Sequence, residues 1–155
     1  MDVDGVLSLF GFDHVDPPDG FPAAVDGTPH WLSAHAGARL ARLAQTFECV
    51  WCSGWEERAE EHLPRLLGLP GGWAHVGFDA ARTAAGRRAH WKLEAIEAHA
   101  AAHRPLAWVD DALDQACAEW ARRRSAPTLL VPTNPAVGLT DAHVSELETW
   151  ASQLS

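Results

Sequence analysis

Short apolar runs alternate with longer amphipathic stretches along this chain, and that alternation constrains the fold more than any other feature. Runs typical of buried strands occur at residues 2–7, 47–52, 105–109 and 128–131, with a further short run at 73–76. Between them, apolar residues recur at helical spacing in four stretches and a fifth follows the last run: 31–45, 55–67, 92–102, 112–124 and 140–150, the last capped by Thr140. Strands that alternate with helices form a parallel sheet covered by helices. We therefore predict an α/β fold with a mainly parallel central sheet.

The stretch 8–30 differs from the rest because it is rich in Gly, Pro and Asp, and it predicts a loop or short hairpin flap. A chain of 155 residues can bury most of its apolar surface in one domain, and we find no internal repeat and no linker. We expect a single domain over 1–155 with 8–30 as the flap.

Charge and hydropathy narrow the expected environment and partners. The formal net charge of -9 opposes binding to phosphate-rich polymers at long range, so any nucleic-acid contact has to be local. No apolar run approaches the length of a membrane span, and the first residues lack the pattern of a signal peptide. We expect a soluble, cytoplasmic protein that does not contact membranes.

Cys49 and Cys52 have the spacing of a redox or zinc pair. They lie in a predicted strand, however, where residues three apart point to opposite faces. No second pair completes a zinc site. We expect buried thiols rather than a metal or redox centre.

Carboxylates and other polar residues follow the predicted strands. The run Asp2-Val3-Asp4-Gly5-Val6-Leu7 carries two carboxylates two residues apart, Ser53 follows the second strand, and Asp110-Asp111 follows the strand at 105–109. Ligands of parallel sheets bind outside the carboxyl ends of the strands, so we expect these residues to converge. Lys92 is the only lysine among twelve basic residues and begins a predicted helix.

These residue types suit phosphoryl transfer. A carboxylate can attack phosphorus and form an acyl phosphate, and a second carboxylate can serve as acid and then as base. Mg²⁺ prefers oxygen ligands and offsets the repulsion between an anionic nucleophile and an anionic substrate. A hydroxyl and an ammonium complete the phosphate-binding set. The ordered residues therefore predict one phosphoryl-transfer site.

In this order, Asp2-Val3-Asp4-Gly5-Val6-Leu7, Ser53, Lys92 and Asp110-Asp111 resemble the motifs of the haloacid dehalogenase (HAD) superfamily of aspartate-nucleophile phosphohydrolases. The resemblance spans nearly the whole chain. It implies a three-layer α/β/α Rossmann-like sandwich and a Mg²⁺-dependent phosphatase that passes through an aspartyl-phosphate. Asp2 would be the nucleophile and Asp4 the general acid/base.

The same resemblance assigns the remaining site residues. Ser53, Gly54 and Lys92 would bind the transferring phosphoryl group. The metal residues would be Asp2, the backbone carbonyl of Asp4, Asp110 and Asp111, with either Asp111 or Asp114 supporting the ion indirectly.

Three further segments look like a small bacterial HAD subgroup related to the HAD domains of RNA-repair proteins. They are Ser53-Gly54-Trp55-Glu56-Glu57, Trp108-Val109-Asp110-Asp111 and Asn134-Pro135-Ala136-Val137-Gly138-Leu139-Thr140.

The chain departs from the HAD pattern in two respects. Only Met1 precedes Asp2, where members of the family have several apolar residues, so either the start lies upstream or the central strand is short. There is also no room for a large cap domain before Ser53. An open site is implied, which in this superfamily accompanies bulky or macromolecular substrates.

Two alternatives to a small-molecule phosphatase stay open. One is a phosphatase acting on nucleic-acid ends, and the other is a non-catalytic HAD-like module that binds a phosphorylated ligand or protein. Specificity would lie in the flap at 8–30 and in the loop at 71–88, whose arginines Arg82, Arg87 and Arg88 are more typical of solvated charges. The sequence predicts neither the substrate nor the oligomeric state.

Overall fold

The structure is a computed structural model that describes residues 1–78, 89–101 and 103–154. Its strands are β1 Ser8–Leu9, β2 Gly20–Val25, β3 Thr28–Ser33, β4 Val50–Trp51, β5 Ala74–His75, β6 Leu106–Asp110 and β7 Thr128–Pro132. Its α-helices are α1 Ala36–Leu43, α2 Glu57–Leu67, α3 Leu93–His99, α4 Gln115–Arg123 and α5 Asp141–Ser152, and a 3₁₀ turn at Ala89–Lys92 leads into α3. The predicted α/β class is confirmed.

Two parallel strand pairs meet at the first two residues of the chain. β4 pairs with β5 and β6 pairs with β7, both in parallel. The Met1 ammonium donates to the Val50 carbonyl at 3.0 Å, and the Cys52 amide donates to the Met1 carbonyl at 2.7 Å. On the other side the Asp2 amide donates to the Val109 carbonyl at 3.0 Å. Met1 and Asp2 therefore join the two pairs edge to edge.

The strand predicted at residues 2–7 is wrong, because the chain turns sharply after Asp2. The Val3 carbonyl accepts hydrogen bonds from the amides of Val6, Leu7 and Ser8, and Gly5 has a positive φ of 73°. The side chains of Val3, Val6 and Leu7 are nevertheless fully buried. An apolar run indicates burial but does not distinguish a buried turn from a buried strand, which explains the error.

The predicted flap contains a hairpin. β2 and β3 pair antiparallel around the turn at Asp26 and Gly27, both of which have positive φ, as two-residue hairpin turns require. β1 pairs with the other edge of β3. The helix predicted at 31–45 begins only at Ala36, because residues 31–33 belong to β3.

Apolar side chains of β4 and β6 alternate between two clusters. Trp51 and Val109 belong to a core formed with α1, α2 and α5, whereas Val50 and Trp108 pack in a second cluster with α3 and α4. Successive side chains of a strand point to opposite faces of its sheet, so the two clusters lie on opposite faces of these strands. No helix in the described ranges is long and apolar enough to cross a membrane.

Candidate active site

A buried ion cluster lies at the carboxyl end of β6. Lys92, the last residue of the 3₁₀ turn, donates from Nζ to Asp2 Oδ2 and to Asp110 Oδ2, each at 2.6 Å. The exposed fraction is 7% for Asp2, 3% for Lys92 and zero for Asp110. A buried ammonium is costly unless it is paired, and here it has two carboxylate partners. The structure thus joins three residues that are up to 108 positions apart in the sequence.

Both carboxylates are also held by other donors. The Val3 amide donates to Asp2 Oδ1 at 2.8 Å, and the Ala112 amide donates to Asp110 Oδ1 at 2.9 Å. The Trp108 indole donates to Asp110 Oδ2 at 3.2 Å. These bonds fix the orientation of the two acids before any substrate binds.

The charges in this cluster do not balance. Burial raises the pKa of Asp2 to about 7; the Lys92 ammonium opposes this rise, while the Asp110 carboxylate adds to it. Burial alone would lower the pKa of Lys92, but the two carboxylates outweigh it and raise that pKa, so Lys92 remains charged. One ammonium between two carboxylates leaves an excess of negative charge that a cation would offset.

Asp111 extends the cluster into a set of oxygen donors. One carboxylate oxygen from each of Asp2, Asp110 and Asp111 lies within 4.8 Å of the others. Three such oxygens suit a hard divalent ion such as Mg²⁺. Burial, and then the charge of Asp110, raise the pKa of Asp111. The donor set therefore fits the metal that the sequence analysis expects.

Gly5 makes this arrangement possible. A Cβ atom built on Gly5 would lie 2.3 Å from Asp111 Cγ, and its φ of 73° is one that side chains with a Cβ rarely adopt. The Gly5 carbonyl accepts a hydrogen bond of 2.9 Å from the Thr133 hydroxyl. Gly5 is thus held tightly between Asp111 and the loop after β7.

Asp4 lies apart from the carboxylate cluster. Its side chain is half exposed, and its Oδ2 accepts a hydrogen bond of 2.9 Å from the Trp55 indole. Its Oδ1 lies 3.9 Å from His30 Nδ1. Of the four predicted metal residues, the structure brings together the side chains of three and leaves that of Asp4 outside.

Ser53 and Gly54 directly follow β4. The Ser53 side chain is buried, and its hydroxyl accepts a bond of 3.4 Å from the Trp55 amide. Gly54 is exposed, and a Cβ built on it would meet open space. Asp114 caps α4 by accepting from the Cys117 amide, so Asp111 is the better candidate to support a metal.

Sequence reasoning missed His30 and Thr133. Thr133 follows β7 as Ser53 follows β4, so the same strand-end argument would have found it. His30 lies within the hairpin, and no motif marked it. The three arginines of the loop that is expected to set specificity, Arg82, Arg87 and Arg88, lie outside the described residues.

A cavity of about 450 Å³ does not coincide with the acidic cluster. It is lined by residues such as Met1, Val50, Leu106 and Trp150, and by none of the predicted site residues. Its lining is mainly apolar, whereas phosphate chemistry needs charged and polar groups. We therefore place the candidate active site at the carboxylates and not in this cavity.

The comparisons with known proteins identify the family of this chain. None of the curated proteins compared with the chain matches it. A family model described as the HAD domain in Swiss Army Knife RNA repair proteins matches residues 1–144, which include every predicted site residue. That match covers nearly the whole chain, and the protein therefore belongs to this family of HAD domains.

Proposed function

We propose that this protein is a Mg²⁺-dependent phosphomonoester hydrolase that acts through an aspartyl-phosphate on Asp2. The observation that carries the proposal is the contact of Lys92 Nζ with both Asp2 and Asp110. It sets a buried nucleophile candidate beside a fixed positive charge and a group of metal-binding oxygens. HAD membership supports hydrolase chemistry.

In the first step a carboxylate oxygen of Asp2 bonds to phosphorus while the bond from phosphorus to the leaving oxygen breaks. Asp4 gives its proton to that leaving oxygen. In the second step Asp4 takes a proton from water, the water oxygen bonds to phosphorus, and the bond to Asp2 breaks to release phosphate. Lys92 and Ser53 stabilise the charge on the phosphoryl oxygens.

Asp2, Asp110 and Asp111 would hold the Mg²⁺, with the Asp4 carbonyl as a further ligand. The ion supplies positive charge that offsets the repulsion between the Asp2 carboxylate and the phosphate. Lys92 alone does not neutralise the two carboxylates that it contacts.

We also infer three features of the whole protein. The two apolar cores on opposite faces of β4 and β6 support a three-layer α/β/α sandwich. Both cores pack against the same strands, β4 and β6, which supports a single domain with the hairpin as its flap. The composition supports a cytoplasmic location.

A second candidate is a phosphatase acting on nucleic-acid ends. The matched family is described from RNA repair proteins, and the chain has no segment for a large cap domain between Asp4 and Ser53. The net charge of -9 argues for contact with only the terminal nucleotides. A non-catalytic phosphate-binding module is the remaining alternative, and it is motivated by the turn that replaces the first predicted strand.

The test is Mg²⁺-dependent phosphate release from small phosphomonoesters and from 5′- and 3′-phosphorylated oligonucleotides. We expect Asp2→Asn to lower kcat by at least about 10³-fold. Glu146→Gln removes an exposed carboxylate from α5, away from the flap and the cluster, and is expected to leave kcat unchanged. The preferred substrate then separates the small-molecule and nucleic-acid candidates.

Wild-type protein that is folded, binds Mg²⁺ and releases no phosphate from any substrate would contradict the proposed function. Retention of phosphopeptide or phospho-oligonucleotide binding by that protein would favour the binding module instead.

A further inference from the structure

Among the described residues, the Asp4 side chain accepts one hydrogen bond, from the Trp55 indole. Trp55 Nε1 lies 2.9 Å from Asp4 Oδ2, and Trp55 is only 5% exposed although the Asp4 side chain is half exposed. The Trp55 amide donates to Ser53 Oγ and its carbonyl accepts from the Arg58 amide at 3.0 Å, so the backbone is held, and burial restrains the ring. A restrained donor thus meets a half-exposed side chain.

His30 supports this indole from the hairpin. The two ring centroids are 4.6 Å apart with an interplanar angle of 58°. His30 Nδ1 lies 3.0 Å from the Ser8 hydroxyl, which holds the imidazole in place. The distance of 3.9 Å from His30 Nδ1 to Asp4 Oδ1 is too long for a hydrogen bond. Asp4 Oδ2 therefore accepts a hydrogen bond from Trp55, whereas Asp4 Oδ1 accepts none from His30.

The Asp4 side chain lies outside the carboxylate cluster, but its backbone belongs to the turn that contacts it. Asp4 directly precedes Gly5, and a Cβ built on Gly5 would lie 2.3 Å from Asp111 Cγ. The held carboxylate thus lies beside the turn that joins Asp2 to the neighbourhood of Asp111.

We propose that Trp55 is a positioning residue for the general acid Asp4, with His30 bracing its ring. This inference rests on the proposed function. In a protonated carboxyl group the carbonyl oxygen is a better acceptor than the hydroxyl oxygen, so the indole bond to Oδ2 favours the transferable proton on Oδ1. Fixing Oδ2 thereby fixes the direction in which Asp4 delivers the proton, and proton transfer depends on such placement.

Positioning of an acid predicts dependence on the leaving group. An alkoxide leaving group needs a proton as its bond to phosphorus breaks, whereas p-nitrophenolate leaves without one. Loss of the Trp55 hydrogen bond should therefore slow turnover of alkyl phosphates selectively. A general loss of structure would slow both substrates alike.

The experiment compares kcat/KM for glycerol phosphate and p-nitrophenyl phosphate in wild type and Trp55→Phe, because kcat/KM reports the first step, whereas kcat also contains the water step that both substrates share. We expect kcat/KM for glycerol phosphate to fall about tenfold, and that for p-nitrophenyl phosphate to stay within about twofold of wild type. Trp31→Phe is the matched control, because it also removes an indole hydrogen bond, from Nε1 to the Pro18 carbonyl at 3.0 Å, but away from Asp4. It should show no dependence on the leaving group.

Two further variants keep the test decisive. In an Asp4→Asn background, adding Trp55→Phe should cause no further loss with glycerol phosphate, because the acid is already absent. His30→Ala should give a smaller loss that is again selective for glycerol phosphate over p-nitrophenyl phosphate. If Trp55→Phe does not fold, the selectivity of this His30 variant tests the positioning role.

Equal losses of kcat/KM on both substrates, or additive losses in the double variant, would overturn the positioning role while leaving the proposed function intact. A folded wild type that releases phosphate from neither substrate nor from the phosphorylated oligonucleotides, or full activity of Asp2→Asn, would overturn both.

Discussion

Gly5 shows how much one residue determines in this site. Its backbone has a positive φ, its carbonyl accepts from Thr133, and its missing side chain leaves the space that Asp111 fills. Any larger residue must change either the turn or the position of Asp111.

We expect Gly5→Ala to lower both stability and activity. The strained φ alone costs roughly 1 kcal/mol or more, and the added methyl group would displace Asp111 from the other two carboxylates. Urea unfolding and titration with Mg²⁺ measure the two effects. Gly11→Ala is a suitable control, since Gly11 also has a positive φ of 73° but a Cβ there meets no atom within 4 Å. Equal Mg²⁺ affinity in the two variants would contradict the proposed role of the space beside Asp111.

At this scale the sequence predicted much of the cluster. Asp2 and Asp110 lie in or after apolar runs, and Lys92 begins a predicted helix. Their positions in the sequence predicted one shared site, and the structure places Lys92 in contact with both acids. His30 and the Trp55 hydrogen bond were not predictable in this way. The position of His30 depends on how the hairpin folds back over the first turn, and the Trp55 bond depends on how the loop after β4 meets that turn; no local pattern encodes either arrangement.

Among the helices, α5 was predicted closely, including its cap. Thr140 was expected to cap it, and the structure confirms this cap: the Thr140 hydroxyl accepts from the His143 amide, and His143 Nδ1 accepts from the Thr140 amide. The first strand was predicted worst, because a run of buried apolar residues carries no signal that separates a strand from a turn.

Thr140→Ala should reduce the free energy of unfolding by about 1 kcal/mol, since it leaves helix amides of α5 without their partner. Phosphatase activity should not change, because Thr140 is not among the residues that the mechanism uses. Thr149→Ala alters an exposed position within the same helix and should have little effect on urea unfolding. If Thr140→Ala is as stable as Thr149→Ala, the hydrogen bond from the His143 amide to the Thr140 hydroxyl does not contribute to stability.

At the scale of the whole molecule, buried charge makes stability depend on pH. In the fold the pKa of Asp2 is about 7, against an ordinary value of 3.8, so the folded state binds this proton more tightly than the unfolded state. The resulting stabilisation is complete below the ordinary pKa and is lost as the pH rises through about 7.

Without divalent metal, wild type should therefore lose thermal stability relative to Asp2→Asn as the pH rises from about 5 to about 8. The Asn side chain cannot ionise, and Lys92 keeps Asp110 as its partner. Melting temperatures in EDTA across this range measure the difference, and added Mg²⁺ should reduce it. If the melting temperatures of the two proteins change with pH in parallel, ionisation of Asp2 does not destabilise the fold.

The single lysine gives the folded protein an unusual chemical property. Lys92 is 3% exposed, and its charged nitrogen is shared by two carboxylates, so it is neither accessible nor nucleophilic. Reagents that acylate amines should therefore leave this side chain untouched while the cluster is closed. Acylation of Lys92 followed by mass spectrometry would then time the opening of this buried ion cluster without any engineered label.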